Sequence, residues 1–577
     1  MPCSVSKACM HTLMRGASRS YAATQGSTER RQFALKCVIE AWLLYSFSKY
    51  MLTGVTSMFG MHQLRQNDKR EADWWEVRGK KGPRDDSVAF QAEAARVVEE
   101  RFGHNAATLR FEDVVHVVAI PNYKEATATL RRTLTTLAAQ RDARRALVVV
   151  LAMEARDLNA LATSRALNAE FGTRFRGLYT TLHELRPGEV AGKSSNENWA
   201  VRCAKRQLVD VEGVDQSRIV VTVCDADTYF HTSYFAALTY AYVCEPPATR
   251  CRRFWQAATN FYPNSDEVPV LCSIRYALLS VGFLGQLANP IHYRLPFAVY
   301  SLALDLAQEA GYWDPAVIPE DWHMFLRCFY ATGGAARVKP VFFPVGCECV
   351  TDAGALRTVA ACYQQAKRWQ WGAIDIGFIA VHSGDFGLRG AHQQLGVTLA
   401  ASEHHLYYPL MWIVLAAAPW LVDDWATGWR FQLWASFYIS NFFFLNILDA
   451  NYRAILASGP EQGAGGPNAR NLTIFSLKRT LAFGAYPLAD LFLFVLPSLH
   501  AHARMALSTR FDYVVAPKLS ICCASKRSAA YKTPCVDHIQ LPDTITNVPF
   551  ALAAPQAASY EALAVDDPTD DLYKTMA

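Results

Sequence analysis

Residues 219–230 read IVVTVCDADTYF. A β-branched run ends abruptly on two aspartates, Asp225 and Asp227, with one alanine between them. Such a run has the pattern of a buried strand closed by a turn. Two carboxylates at a strand end repel each other unless a positive charge lies between them. A divalent cation bound to a diphosphate meets that need, because hard cations take carboxylate oxygens and share phosphate oxygens. A D-x-D triplet can equally cap a turn, so its place directly after the strand is what gives it weight.

Working outward, the same grammar repeats. Val114–Ile120 reads as a buried strand that runs into Pro121-Asn122, and leucines at 130, 134 and 137 then mark a helix. Arg145–Met153 (RALVVVLAM) and Val338–Val345 (VKPVFFPV) read as further strands. Strands alternating with helices from 111 to 375 predict an α/β domain with a parallel or mixed sheet. Ligands of such sheets bind beyond the carboxyl ends of the strands. That places Asn122 and Asp225–Asp227 on one rim.

The totals point to a membrane. Of 577 residues, 51% are hydrophobic, 12% aromatic and only 19% charged. Soluble domains carry about 25% charged residues. The net charge of +5 comes without a dense Lys/Arg block. It gives no case for a nucleic-acid partner and suits anionic lipid or a sugar diphosphate. The 15 cysteines show no C-x-x-C pairs or zinc spacing, so they read as reduced residues of a cytosol-facing domain. Cys522–Cys523 are either unmodified or acylated.

The flanks divide by composition. Residues 1–33 form a basic Ser/Ala/Thr/Arg arm, in composition like a transit peptide or a disordered arm. Residues 34–61 are apolar but carry Lys36, Glu40 and Lys49, which suits a transmembrane or an interfacial helix. A linker and helix occupy 62–110, and an interfacial segment 376–405. Leu406–Val422 and Phe431–Leu448 hold no charge across 17 and 18 residues, and Leu481–Leu499 holds only Asp490. These lengths suit helices crossing a hydrocarbon layer of about 30 Å. Residues 501–577 read as a largely disordered tail. Arg453, Arg470, Lys478 and Arg479 favour a cytosolic loop, and DDWATGW (423–429) an external one. Arg504, Arg510 and Lys518 after a third crossing conflict with that scheme. Glycosylation of the sequon at Asn471 would overturn it.

Three more features surround the D-x-D. Pro121-Asn122-Tyr123-Lys124-Glu125 follows the first strand, where a base and ribose could sit. Gly192-Lys193-Ser194-Ser195 offers a lysine on a small polar turn, either for a phosphate or simply for solvent. Glu320 and Asp321 open a helix behind Pro319, either as complements to the helix dipole or as a base for an attacking hydroxyl. A fourth, Gln365-Ala366-Lys367-Arg368-Trp369, pairs a bidentate cation for diphosphate with a flat ring for a sugar.

In this order the four motifs resemble family 2 glycosyltransferases of the GT-A fold, and most of all the membrane polysaccharide synthases of the cellulose, chitin and hyaluronan type. The resemblance covers 111–375 and continues into membrane helices. It implies a nucleotide site bordered by Asn122 and Glu125, and Asp225 and Asp227 on nucleotide and metal (Mg²⁺ or Mn²⁺). It implies Asp321 as general base, Gln365 and Arg368 near the diphosphate, and Trp369 at the acceptor. PNYKE departs from the family's first motif, and the aromatic insertion before Pro319 is long. The expected activity is inverting transfer from a nucleotide-diphosphate sugar to a glycan, in polysaccharide synthesis. The alternatives are single-sugar transfer to a lipid and an inactive scaffold subunit. The expected setting is a multi-pass protein of the plasma membrane or Golgi with a cytosolic catalytic domain, alone or as a homo- or hetero-oligomer among membrane lipids.

Overall fold

The structure, a computed structural model, describes residues 33–67, 94–100, 109–384, 390–421, 429–458, 473–474, 476–507 and 551–552. The arm at 1–32, most of the 62–110 linker, the 422–428 loop, the sequon at Asn471, Cys522–Cys523 and nearly all of the tail lie outside the described residues.

The domain is one mixed sheet. β1 (Val115–Asn122), β2 (Leu147–Glu154), β3 (Gly177–His183) and β4 (Ile219–Val223) are parallel, in the order β4-β1-β2-β3. Their β-branched runs are buried throughout β1, β2 and β4 apart from Pro121, as expected of strands covered on both faces. Past β4 the sheet continues through β7 (Tyr300–Ala303), β6 (Arg253–Asn260) and β8 (Arg337–Cys347) to the short edge strand β5 (Thr228–Phe230). β7 runs antiparallel to β4 and β6, which makes the sheet mixed. Ala551–Leu552 add a two-residue parallel strand beside β3. The quoted stretch is therefore β4, a turn holding both aspartates, and β5.

Helices give the rim its polar groups. α1 spans residues 33–67. α2 (Thr127–Ala138) follows the PNYKE turn, where Lys124 takes φ 61° and its N–H donates to Asp157 Oδ2. A residue other than glycine at positive φ is uncommon, and here it swings the chain from strand into helix. α3 (Lys193–Lys205) crosses β1, β2 and β3. α4 (Val270–Ala288) leaves β6, α5 (Glu320–Ala331) follows Pro319, and α6 (Ala355–Trp369) ends on the Gln365–Trp369 motif.

After the sheet come α7 (Tyr408–Leu421), α8 (Trp429–Ser458) and the composite helix α9 (Leu477–Leu507). Among the described residues, two helices are long and apolar enough to cross a membrane: α9 and α4. The sequence expectation placed three spans after residue 400 and none at α4. α4, which ends just before the aromatic insertion, escapes notice because an apolar run within an α/β pattern reads as core. α1, α4 and α8 share a core of Met61, Leu64, Val281, Leu284, Leu287, Leu448, Tyr452 and Ile455. α1 and α4 meet so closely at Gly285 that a Cβ there would lie 2.6 Å from the Thr53 carbonyl. Ser57 Oγ donates to the Val281 carbonyl at 2.8 Å across the same contact. Arg453 and Arg479, topological markers in the sequence, both pair with Asp266 and Asp449 and tie α8 and α9 to the loop after β6.

Candidate active site

Asp225 and Asp227 stand at the carboxyl end of β4. Asp227 is buried, and its Oδ2 accepts the Glu348 N–H at 3.0 Å. Asp225 is more open. Lys193 begins α3 and reaches across to this turn. Its Nζ lies 3.2 Å from Asp225 Oδ1, 2.6 Å from Glu320 Oε1 and 3.8 Å from Glu197 Oε1, and it donates to the Ala298 carbonyl at 3.4 Å. Burial opposes the lysine's charge, but Asp225, Glu320 and Glu197 outweigh it and hold its pKa well above the ordinary 10.5. Glu197 itself is fully buried. That burial, with Glu320 and Asp225 beyond it, pushes its carboxyl well above the usual range despite Lys193.

Glu320 and Asp321 form the first turn of α5, with Pro319 in extended conformation at its N-cap. The Trp322 N–H donates to Asp321 Oδ1 at 2.8 Å. Burial, then the Glu320 charge, raise the Asp321 carboxyl from 3.8 to about 7. One turn on, His323 is clasped by Asp375 (2.7 Å) and Asp314 (3.4 Å), which overcome its burial and raise it to about 9. This clasp fixes α5 against the segments before and after it.

A single cavity of about 410 Å³ runs along this rim. Asn122, Glu125, Lys193, Asp225, Asp227, Asp321, Gln365, Arg368 and Trp369 all line it. Residues drawn from five separate stretches of sequence thus meet in one space. Their surroundings differ from the simple picture, however. Lys193 is gripped by carboxylates and is no idle surface lysine. Gln365 turns its Oε1 inward, where Arg275 Nη1 (3.1 Å) and the Tyr276 hydroxyl (3.0 Å) donate to it. Trp369 stacks on the Arg275 guanidinium at 4.7 Å.

The cavity also holds residues the sequence reading passed over. Glu154 ends β2 beside Asn122, whose register partner is Met153. The missed signal is an acid closing an apolar strand, the same one that drew attention to Asp225. Glu348 binds Arg132 at 2.7 Å and accepts the Tyr229 hydroxyl at 2.5 Å. Arg275 is the sole charge in the 19 residues of α4. Lys49, Tyr50 and Thr53 of α1, with Glu403 and His404, close the far side, and no motif marks them.

Among the described residues no group of three or more His, Cys, Asp or Glu side chains is placed to hold a metal ion. Asp225 and Asp227 still fit a hard cation that arrives with a diphosphate, since Mg²⁺ is commonly held by one or two carboxylates plus substrate phosphates. One oxygen of Asp227 is already engaged by Glu348, and Asp225 faces the cavity.

Comparison with known proteins gives a family match over part of the chain. Residues 220–456 match the model described as "Glycosyl transferase family group 2". The match begins in β4, takes in the D-x-D, Glu320-Asp321 and Gln365–Trp369, and ends in α8. No curated protein matches the chain. The crystal structure of S. aureus TarS 1–349 aligns with 11% sequence identity and a TM-score of 0.31, over 70% of this chain and 94% of that one.

Proposed function

We propose that this chain is an inverting, GT-A-like family 2 glycosyltransferase, a reading supported by the family match over residues 220–456, and that it moves a sugar from a nucleotide-diphosphate donor to a glycan acceptor at a membrane. One observation carries the reading: Asp321, raised to about 7, lines the same cavity as Asp225 and Asp227. A base works best when its pKa lies near the working pH.

The acceptor hydroxyl attacks the anomeric carbon in line. Its oxygen forms the new bond as the bond to the diphosphate oxygen breaks, and the electron pair leaves with the nucleoside diphosphate. Asp321 takes the hydroxyl proton. Arg368 receives the departing oxyanion, and Asn122 and Glu125 border the nucleotide. Lys193 fixes Asp225 relative to Glu320, next to the base. Asp225 and Asp227 would hold Mg²⁺ or Mn²⁺, which supplies positive charge to the leaving group when bound. Trp369 presents a ring to the acceptor sugar.

The membrane setting is supported by α4 and α9 and by large apolar side chains exposed on the helices around them, among them Phe59, Phe443 and Leu481. A second reading, transfer to a lipid acceptor, is favoured by the apolar part of the cavity wall formed by Leu278, Leu279 and Phe283.

The test is a panel of labelled nucleotide sugars offered to the purified full-length protein with and without Mg²⁺ or Mn²⁺. The reading expects label transfer from at least one donor, dependent on the cation, with products of many lengths for a glycan acceptor. No hydrolysis or transfer from any donor would overturn it. A single-length product extracted with lipid would establish the second reading.

A further inference from the structure

Arg275 sits where a charge is hard to keep. It lies within the apolar helix α4, and its side chain is fully buried. Its hydrogen bonds go to neutral acceptors: Nη1 to Gln365 Oε1 at 3.1 Å and Nε to the Leu493 carbonyl at 3.3 Å. Nη2 donates to no atom of the described residues. No carboxylate of the described residues pairs with it. Three rings surround it, Trp369 at 4.7 Å, Tyr276 at 5.0 Å and Phe494 at 5.2 Å.

Several other enclosed guanidiniums have their donors answered, Arg250 by the carbonyls of Tyr242, Val243 and Glu245 and others by carboxylates. Arg453, equally buried, pairs with Asp266 and Asp449. Arg132 pairs with Glu348, and Arg253 with Glu245. Burying a charge without an opposite charge is expensive, and rings offset only part of that cost. Nor is Arg275 required to hold Gln365, because the Tyr276 hydroxyl already donates to the same Oε1. A neutral side chain would fill this position at lower cost unless the charge has work to do.

We propose that Arg275 is a phosphate-binding residue of the cavity, with Nη2 as the donor kept for an anionic substrate group. A planar guanidinium suits phosphate oxygens, to which it can donate in a fork. Nη2 is buried, so a ligand reaches it by displacing a neighbouring side chain, and Trp369, which lies against the guanidinium and lines the cavity, is the one in position to yield. The phosphate has two possible sources. One is the donor's diphosphate, in which case the inference rests on the function proposed above. The other is the headgroup of a lipid whose chain lies along Leu278, Leu279 and Phe283.

The test uses the purified full-length protein and two probes, a nucleoside diphosphate (UDP and GDP in turn) and phosphatidylcholine vesicles with or without farnesyl phosphate. Arg275→Gln is expected to weaken one of these interactions about tenfold, the loss of one charge-assisted hydrogen bond, and to leave the other unchanged. Weakened nucleotide binding identifies the donor as the source, and weakened lipid binding identifies the headgroup. Arg275→Lys keeps the charge without the fork, should weaken the same probe by less, and serves if Arg275→Gln does not fold. Wild-type binding of both probes by both variants overturns the proposal for Arg275 alone. If the wild type also binds no nucleoside diphosphate, the donor reading falls with it.

Discussion

Two of the cations that line the cavity, Lys193 at the strand-end rim and Arg275 on the helical wall, have opposite surroundings. Lys193 has three carboxylates within 3.8 Å. Among the described residues Arg275 has none, only carbonyl-type acceptors and rings. At the rim the protein balances its own charge and the geometry is set before any ligand arrives. On the wall the balance is left open. The difference teaches that burial alone does not identify a group that meets substrate. The informative feature is which partners a buried charge lacks.

Breaking the rim should have the largest effects. Asp225→Asn or Asp227→Asn is expected to lower kcat/KM about a thousandfold, the several kcal/mol a cation supplies to a leaving group. Initial rates across a Mg²⁺ titration would show it. Lys193→Met leaves Asp225, Glu320 and Glu197 without their common cation, and breaking such a buried pairing costs about 3–5 kcal/mol. Arg275→Met removes a charge that no carboxylate needs, so its melting temperature without ligand should fall less than that of Lys193→Met. Equal losses would erase the contrast between the two cations. On the helical side, Gly285→Ala drives a methyl into the α1 backbone and should cost about 1–3 kcal/mol of thermal stability through overpacking.

The response to pH sharpens the picture without disturbing either cation. The proposed base acts when ionised, so the rate should rise about tenfold per pH unit up to about 7 and then level. Stability runs the other way. Asp321 holds its proton in the folded chain to about 7 and releases it near 3.8 when unfolded. The folded state therefore binds more protons between those values, and this group's contribution to stability falls as pH rises from about 4 to about 7. Asp321→Asn should remove that part of the slope. Melting curves from pH 4 to pH 8 that stay parallel for the two proteins would contradict it.

Much of this was legible in the chain itself. β1, β2, β4 and β8 announced themselves as apolar runs, and short motifs singled out Asp225 just after β4, Asp321 at the start of α5 and Arg368 at the end of α6, which the fold brings to one cavity. β3, β6 and β7 did not stand out, because GLYTTLH, RFWQAATN and YSLA mix polar and apolar residues without a long run. Glu197 was missed for another reason. Its importance comes from lying under Lys193 and from complete burial, and neither can be read from the polar string KSSNENWA. α4 was hidden by its place within the α/β pattern, and Arg275 with it. A lone arginine in an apolar run of 19 residues was the available signal.

The most direct test of the central claim compares donor binding with sugar transfer in Asp321→Asn. Titration calorimetry with the nucleotide sugar should give wild-type affinity, because Asp321 is assigned to the acceptor hydroxyl and has no role in holding the diphosphate. Turnover should fall about 10²- to 10⁴-fold, the contribution of a general base. A variant that binds donor and turns over at the wild-type rate would contradict the account.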